Sequence, residues 1–143
     1  TVYENIKFRI MFRGEAFEEC EMDQVLSQLK LEKYKDVIVS QLSAGLKKRV
    51  ALAAAIISKP KYLILDEPTN GLDPKSREVI LSILKNFKER GVTIIFSSHD
   101  LEFVYRLADE FIVLNNGIVA KKGTCVDYNK DEFIDEYYIC TEE

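Results

Sequence analysis

The sequence Tyr-Leu-Ile-Leu-Asp-Glu-Pro-Thr-Asn-Gly-Leu-Asp, residues 62–73, decides the fold of this chain. Its four leading apolar residues do not alternate with polar ones, which predicts a strand buried on both faces of a parallel sheet. Asp66 and Glu67 follow this strand directly, and Pro68 and Gly71 predict that the chain then turns. Ligands bind at the carboxyl edge of open α/β sheets, so the two acids stand where they could hold a metal ion and orient a water molecule. Taken alone, the stretch fits a solvated acidic turn equally well.

The bulk composition is that of a globular domain. The chain has 143 residues, 47% hydrophobic and 31% charged, which is enough for one domain with a real core. A net charge of −4 does not suggest a broad nucleic-acid-binding surface, and no apolar run is long enough to span a bilayer. The amino-terminal residues lack the features of a signal peptide. Three widely spaced cysteines argue against a disulfide framework or a zinc site and fit a reducing cytosol.

The first 42 residues have a helical pattern. Thr1 is a suitable cap for a helix through about Phe12, and Gly14 is a suitable end. A second apolar face at helical spacing lies within residues 22–29. Basic and aromatic residues are mixed in residues 7–13. This mixture favours an amphipathic helix that packs on its neighbour, and a docking surface for a partner is the alternative.

A third helix is predicted from Ser43, its N-cap, through an alanine-rich run to about Ile57, where Pro60 stops it. A helix amino terminus with small residues ahead of it exposes backbone N–H groups and the positive end of the helix dipole, which is a geometry that binds phosphate. A serine at this position often only caps the helix. The direct passage from this helix into the strand with the paired acids favours the phosphate interpretation.

The strand that ends in the paired acids begins a strand–helix–strand unit. Asp73 and Pro74 are typical of an N-cap and a first helical position, an apolar stripe continues to Phe87, and Gly91 ends the helix. A second apolar run over residues 92–96 then predicts a strand parallel to the first.

The sequence Ser-Ser-His-Asp, residues 97–100, stands at the carboxyl end of this second strand. Because parallel neighbours end at the same sheet edge, we expect His99, the only histidine, to lie close to Asp66 and Glu67. A lone histidine is more often structural than catalytic, but this position beside paired acids favours function.

The rest of the chain predicts a short helix, a third strand, a return strand and a final helix, over residues 101–108, 111–114, 118–121 and 131–138. Asn116-Gly117 is a strong type I′ hairpin signal between the two strands. Gly123-Thr124 is expected to break the return strand.

Four motifs in this order and spacing closely resemble the ATP-binding-cassette (ABC) ATPases over essentially the whole chain: Leu-Ser-Ala-Gly, Tyr-Leu-Ile-Leu-Asp-Glu-Pro, Gly-Leu-Asp and Ser-Ser-His-Asp, at residues 42–45, 62–68, 71–73 and 97–100. The resemblance implies an α/β fold. Its core would be a partial P-loop NTPase (RecA-like) core, with parallel strands flanked by helices, plus an amino-terminal helical subdomain. We expect residues 1–58 to form the helical subdomain with the signature helix, and residues 59–143 to form the partial catalytic core.

The resemblance assigns the nucleotide contacts. It implies that a signature motif, comprising Leu42, Ser43, Ala44, Gly45 and Leu46, contacts the γ-phosphate of ATP held by the opposite subunit of a head-to-tail dimer. Asp73, in the D-loop of residues 71–73, is implied to lie at that dimer interface.

The catalytic roles also come from the resemblance. Asp66 would hold Mg²⁺, usually through water, Glu67 would polarise the attacking water, and His99 would sense and stabilise the γ-phosphate. Phosphoryl transfer needs such residues because it depends mainly on positioning and charge stabilisation. The implied cofactors are ATP and Mg²⁺. The implied partners are a second ABC ATPase subunit and membrane-spanning transporter subunits at the inner face of the cell membrane, and no nucleic acid is expected.

The sequence departs from the family pattern in the signature motif. The usual Leu-Ser-Gly-Gly-Gln is here Leu-Ser-Ala-Gly-Leu, so Ala44 adds a methyl group and Leu46 removes the reciprocal half of a capping box. We expect a weaker or more mobile signature helix that still functions.

The larger departure is that these 143 residues contain no phosphate loop, since no glycine is followed by lysine. The adenine-stacking aromatic residue and the Q-loop glutamine are also expected upstream. The chain therefore resembles the carboxyl-terminal portion of a cassette and is expected not to bind or hydrolyse ATP efficiently alone. Strands 92–96 and 111–114 would then flank the place of an absent strand and expose apolar side chains.

The leading interpretation is the ATP-hydrolysing subunit of an ABC transporter of unknown substrate. The pattern over residues 97–124 is most similar to cassettes of drug and lipid exporters. One alternative is a non-transport ABC ATPase that acts in translation or DNA repair. The other is a non-catalytic module that pairs with a complete cassette through residues 43–46.

Overall fold

The computed structural model describes residues 1–14 and 18–141. These residues form two compact units, one within residues 1–97 and one within residues 98–143, and each is described by itself. The first unit contains four α-helices and two strands, α1 (Val2–Phe12), α2 (Glu19–Gln28), α3 (Ala44–Ile56), β1 (Tyr62–Asp66), α4 (Pro74–Glu89) and β2 (Thr93–Ser97). The second contains α5 (Leu101–Leu107), β3 (Glu110–Asn115), β4 (Ile118–Thr124) and α6 (Lys130–Thr141). The α/β class is confirmed, and the subdomain boundary at residue 58 stays a prediction.

The three helix starts predicted from capping residues are confirmed. Thr1 Oγ1 accepts from the Glu4 amide at 3.2 Å, and the Ser43 Oγ accepts from the Leu46 amide at 3.3 Å. Asp73 caps α4, with Pro74 at its first turn. Because each cap satisfies an otherwise unpaired N–H group, local chemistry alone fixes where these helices begin.

The two strands of the first unit are parallel neighbours, as predicted, in a register that pairs Ile64 with Ile95 and Asp66 with Ser97. The prediction that the first strand is buried on both faces is wrong. Leu63 is only 4% exposed, but Ile64 is 76% exposed and Ile95 is 57% exposed. One face of this strand pair is covered by the described helices, and the other face is open. Four consecutive apolar residues do not indicate which face of a strand is covered.

The second unit is built on an antiparallel β3–β4 hairpin. Asn116 and Gly117 have φ of +49° and +77°, which confirms the predicted I′ turn. The prediction that Gly123 breaks the return strand is wrong, because β4 continues to Thr124. A Cβ on Gly123 would lie 3.0 Å from the Phe111 ring opposite it, so glycine makes room for that ring inside the sheet.

Among the described residues, β2 pairs only with β1 and β3 pairs only with β4. The inward face of the hairpin packs Phe111 and Val113 against Phe133 of α6. Its outward face exposes Ile112, Leu114 and Val119, and Ile118 beside the turn is exposed as well. Both sheets therefore carry an open apolar face, as expected for strands that lack a covering layer. No helix in residues 1–14 or 18–141 is long and apolar enough to cross a membrane.

Candidate functional site

The carboxyl ends of β1 and β2 bring the paired acids next to Ser97. The Ser97 hydroxyl donates to Asp66 Oδ1 at 2.5 Å. Ser97 Oγ in turn accepts from the backbone amide of Glu67 at 3.0 Å. One serine on the neighbouring strand thus contacts the Asp66 side chain and the Glu67 backbone. Sequence reasoning missed Ser97, although the parallel register that places it opposite Asp66 was a usable signal.

Glu67 has a left-handed backbone with φ of +45°, which is unfavourable for a residue with a side chain. Its carbonyl oxygen accepts from Lys48 Nζ at 2.7 Å and from the Asn70 amide at 3.2 Å. Burial lowers the pKa of the Lys48 ammonium below its usual value, and the nearby Glu67 carboxylate partly opposes this effect. The surroundings thus hold the Glu67 peptide on both sides in a conformation it would rarely adopt alone.

The donor set at this edge fits Mg²⁺. Asp66 is an exposed carboxylate next to the Ser97 hydroxyl, and both are hard oxygen ligands. Within the described part of the chain, no group of three or more His, Cys, Asp or Glu residues forms a candidate metal site. Mg²⁺ does not require such a cage, because it is usually bound by one or two carboxylates together with water and phosphate oxygens. The residues present therefore suit an ion that is shared with a phosphate ligand.

The predicted phosphate-binding helix begins as expected. Ser43 and Ala44 are exposed at the amino terminus of α3, and Gly45 is buried. Leu46 has no group that could bond back to the Ser43 amide, so the cap consists of the single Ser43 bond. The exposed residues leave this helix end accessible, and their contact with a partner's nucleotide stays a prediction.

The signature and D-loop segments lie against each other within the first unit. A Cβ on Gly45 would be 2.6 Å from Ser76 Oγ and 3.8 Å from the Leu72 side chain. The Ser76 hydroxyl itself donates to Asp73 Oδ2 at 2.6 Å, and the Ser76 amide donates to Oδ1 at 3.0 Å. These bonds hold the pKa of the Asp73 carboxyl below its usual range. Sequence reasoning identified Gly45 and Asp73 separately but not the serine that joins them.

His99 lies in the second unit, exposed, in the turn between β2 and α5. It precedes Asp100, whose side chain accepts from the Phe103 amide at 3.1 Å and caps α5. Its predicted position beside Asp66 and Glu67 stays a prediction.

Comparison with known sequences shows which proteins this chain is similar to. A family model described as "AAA domain, putative AbiEii toxin, Type IV TA system" matches residues 4–104. A putative ABC transporter ATP-binding protein of Caldanaerobacter subterraneus is 42% identical over 117 residues, covering 80% of this chain and 48% of that protein. The spermidine/putrescine import ATP-binding protein PotA of Acetivibrio thermocellus is 38% identical over 134 residues, covering 91% of this chain and 38% of PotA. The chain thus spans about half, or less, of the length of these curated relatives.

Solved structures agree with the sequence comparison. The structure of cbiO1 from Clostridium perfringens, described as part of the ABC transporter complex cbiONQ, superposes with a TM-score of 0.76 and 34% identity. That match covers 97% of this chain and 55% of cbiO1. An ATP-binding subunit of an ABC transporter superposes with a TM-score of 0.77 and 29% identity over 96% of this chain and 62% of that subunit.

Proposed function

The chain belongs to the ATP-binding-cassette ATPases, and from that premise we propose that it is the carboxyl-terminal portion of an ATP-hydrolysing subunit of an ABC transporter. The observation that carries the proposal is the arrangement at the ends of β1 and β2, where Ser97 contacts Asp66 and the Glu67 backbone. An acid that can hold Mg²⁺ stands there beside an acid in a fixed, strained conformation. Phosphoryl transfer to water needs such a pair, one acid for the metal ion and one for the attacking water.

In the proposed reaction, bound MgATP supplies the transferable phosphoryl group and the charge that polarises it. Asp66 holds the ion, through water or directly, and Ser97 orients the Asp66 carboxylate. Glu67 accepts the proton of the attacking water or orients that water for attack. The proposed role of His99 is a polar contact to the γ-phosphate.

The second half of the site comes from a partner subunit. We propose that the amino terminus of α3, with Ser43, Ala44, Gly45 and Leu46, contacts the γ-phosphate of ATP that is bound mainly by that partner. The helix dipole favours an anion at this position, where Ser43 and Ala44 are exposed. Asp73, which caps α4 next to Gly45, lies at the same interface in this proposal.

The 143 residues alone are proposed not to bind or hydrolyse ATP efficiently, because they contain no phosphate loop. The complete subunit would work at the cytoplasmic face of a membrane, bound to membrane-spanning subunits that carry the substrate specificity. The similarity to exporter patterns at residues 97–124 does not fix a direction, since PotA is an import protein by name.

An Asp66→Asn variant of the complete subunit tests the proposal. We expect the Mg²⁺ concentration for half-maximal ATP hydrolysis to rise by about tenfold or more, because an amide binds the ion less well than a carboxylate. Asp36→Asn, a matched change of an exposed aspartate in the same unit, should leave it unchanged. Equal Mg²⁺ dependence of the two variants, or a wild-type subunit without Mg²⁺-dependent hydrolysis, would overturn the proposal.

A further inference from the structure

We infer that Lys48, on the helix that carries the signature motif, is a positioning residue that fixes the orientation of Glu67. The inference deepens the proposed function and rests on it for the catalytic role of Glu67. The contact that carries it is direct, because Lys48 Nζ donates to the Glu67 carbonyl oxygen at 2.7 Å. Lys48 belongs to no motif, and it reaches across 19 residues of sequence.

Hydrogen bonds to β2 and to α3 hold the backbone of Glu67 in place. On its amino side, the N–H group donates to Ser97 Oγ of β2 at 3.0 Å. On its carboxyl side, the carbonyl accepts from Lys48 of α3 at 2.7 Å. Rotation of either peptide would break one of these bonds, so the pair holds the residue at its φ of +45°.

The strained backbone of Glu67 explains why these two hydrogen bonds are needed. A residue with a side chain leaves the left-handed region for an extended or right-handed conformation unless its surroundings hold it there. Either change would swing the Glu67 carboxylate away from its present direction. A hydrogen bond from a charged, partly buried donor is stronger than a neutral one, and an ammonium withdrawn from water needs such an acceptor.

The same contact links two parts of the proposed site. Ser43 caps α3 and Lys48 lies on that helix, so a displacement at the phosphate-contacting end is transmitted along a rigid element to the Lys48 ammonium. The ammonium then moves the carbonyl of the acid that orients water. A partner's nucleotide at α3 would in this way affect the direction of Glu67, in addition to contributing its own phosphate.

Three variants of the complete subunit test the inference: Lys48→Met removes the donor at similar length, Lys48→Arg keeps a donor, and Lys47→Met changes an exposed neighbour on the same helix. For Lys48→Met we expect kcat to fall about 10- to 100-fold while KM for MgATP stays within about twofold, because only the orientation of the water-activating acid is lost. Lys48→Arg should recover most of kcat, and Lys47→Met should match the wild type.

Hydrogen exchange of the Glu67 amide, followed in the nucleotide-free subunit, gives a readout that does not depend on catalysis. Lys48→Met should accelerate that exchange by about tenfold while amides in the middle of α3 and α4 keep wild-type rates. Equal Glu67 exchange in Lys48→Met and Lys47→Met, or acceleration spread over the whole unit, would overturn the inference. If the wild type hydrolyses no ATP, the proposed function fails, and the exchange comparison still decides whether Lys48 positions Glu67.

Discussion

Gly45 and Ser76 approach each other so closely that no side chain fits between them. A Cβ on Gly45 would lie 2.6 Å from Ser76 Oγ and 3.0 Å from Ser76 Cβ. Ser76 cannot easily give way, because its hydroxyl is bonded to the Asp73 carboxylate. The start of α3 therefore rests directly on the first turn of α4, and the signature and D-loop segments form one packed unit.

A Gly45→Ala substitution should destabilise the chain despite alanine's higher helix propensity. The clash should cost about 1–3 kcal/mol, and the propensity gain of about 1 kcal/mol offsets only part of it. The free energy of unfolding in urea measures the net loss. Ser76→Gly in the same chain should suppress most of the effect of Gly45→Ala, whereas Ser82→Ala, an exposed change on α4, should not. Additive effects of Gly45→Ala and Ser76→Gly would contradict the contact.

The Asp73 cap should make stability depend on pH in a defined direction. The pKa of Asp73 lies below its usual 3.8 in the folded chain, mainly because the Ser76 hydroxyl and amide bond to the ionised carboxylate. The folded state therefore binds the proton less tightly than the unfolded one, and stability rises with pH through this window. The contribution is fully present above 3.8 and is lost as pH falls through the lower folded value.

Comparison with Asp73→Asn isolates that contribution, because asparagine keeps the capping oxygen and loses the charge. The wild type should have the higher Tm at neutral pH, and the Tm difference should shrink as pH falls below 3.8. The other titrating groups are the same in both proteins, so their contributions cancel in the Tm difference. A Tm difference that stays the same from neutral pH to far below 3.8 would show that the charge contributes nothing.

The open face of the β1–β2 pair should drive self-association of this chain. Ile64 is 76% exposed, so Ile64→Thr should change the free energy of unfolding by less than about 0.5 kcal/mol and reduce self-association in sedimentation experiments. Its neighbour Leu63 points to the covered face and is 4% exposed. Leu63→Ala should cost about 2–5 kcal/mol. Equal stability losses for the two variants would contradict the one-sided burial of this strand.

The proposed head-to-tail dimer predicts complementation between two inactive variants. In this arrangement Ser43 completes the ATP site of the partner subunit, and Ser43→Arg removes that contact. Glu67 acts on the ATP bound in its own subunit, and Glu67→Gln removes that acid. Each variant alone should hydrolyse little ATP. In a mixture, one site of a mixed dimer combines an intact Glu67 with an intact Ser43, so turnover should reappear. Mixing Glu67→Gln with Asp66→Asn should give no more turnover than the two variants measured separately, since both changes affect the same half of the site. Recovery in both mixtures, or in neither, would contradict the arrangement.

Features fixed by local chemistry could be predicted from the sequence. The caps at Thr1, Ser43 and Asp73, the turn at Asn116-Gly117 and the parallel pairing of β1 with β2 depend on residues that are near each other along the chain or on one strand–helix–strand connection. The paired acids at the end of β1 followed from the same pattern. Their chemical types and positions, together with the neighbouring motifs, were sufficient to predict where the candidate site lies, but not that Ser97 and Lys48 contact it.

Features set by packing between distant segments could not be predicted. Nothing around Lys48 indicates that its ammonium reaches the Glu67 carbonyl, because that contact depends on how α3 lies against the end of β1. The exposure of Ile64 depends on which faces of the strand pair other segments cover. An apolar strand sequence is the same whether one face or both faces are covered. Gly123 was misinterpreted because a glycine that breaks a strand and one that accommodates a ring, here that of Phe111, have the same sequence signal.

ATP binding and hydrolysis by a Glu67→Gln variant of the complete subunit test the central claim most directly. Binding by calorimetry and hydrolysis by phosphate release should be measured beside Glu89→Gln, a matched change of an exposed glutamate at the end of α4. We predict that Glu67→Gln binds MgATP as tightly as the wild type and loses about 100-fold or more of its turnover, because the amide keeps the shape of the acid but accepts no proton. Glu89→Gln should retain both. Wild-type turnover by Glu67→Gln would contradict the account of this site.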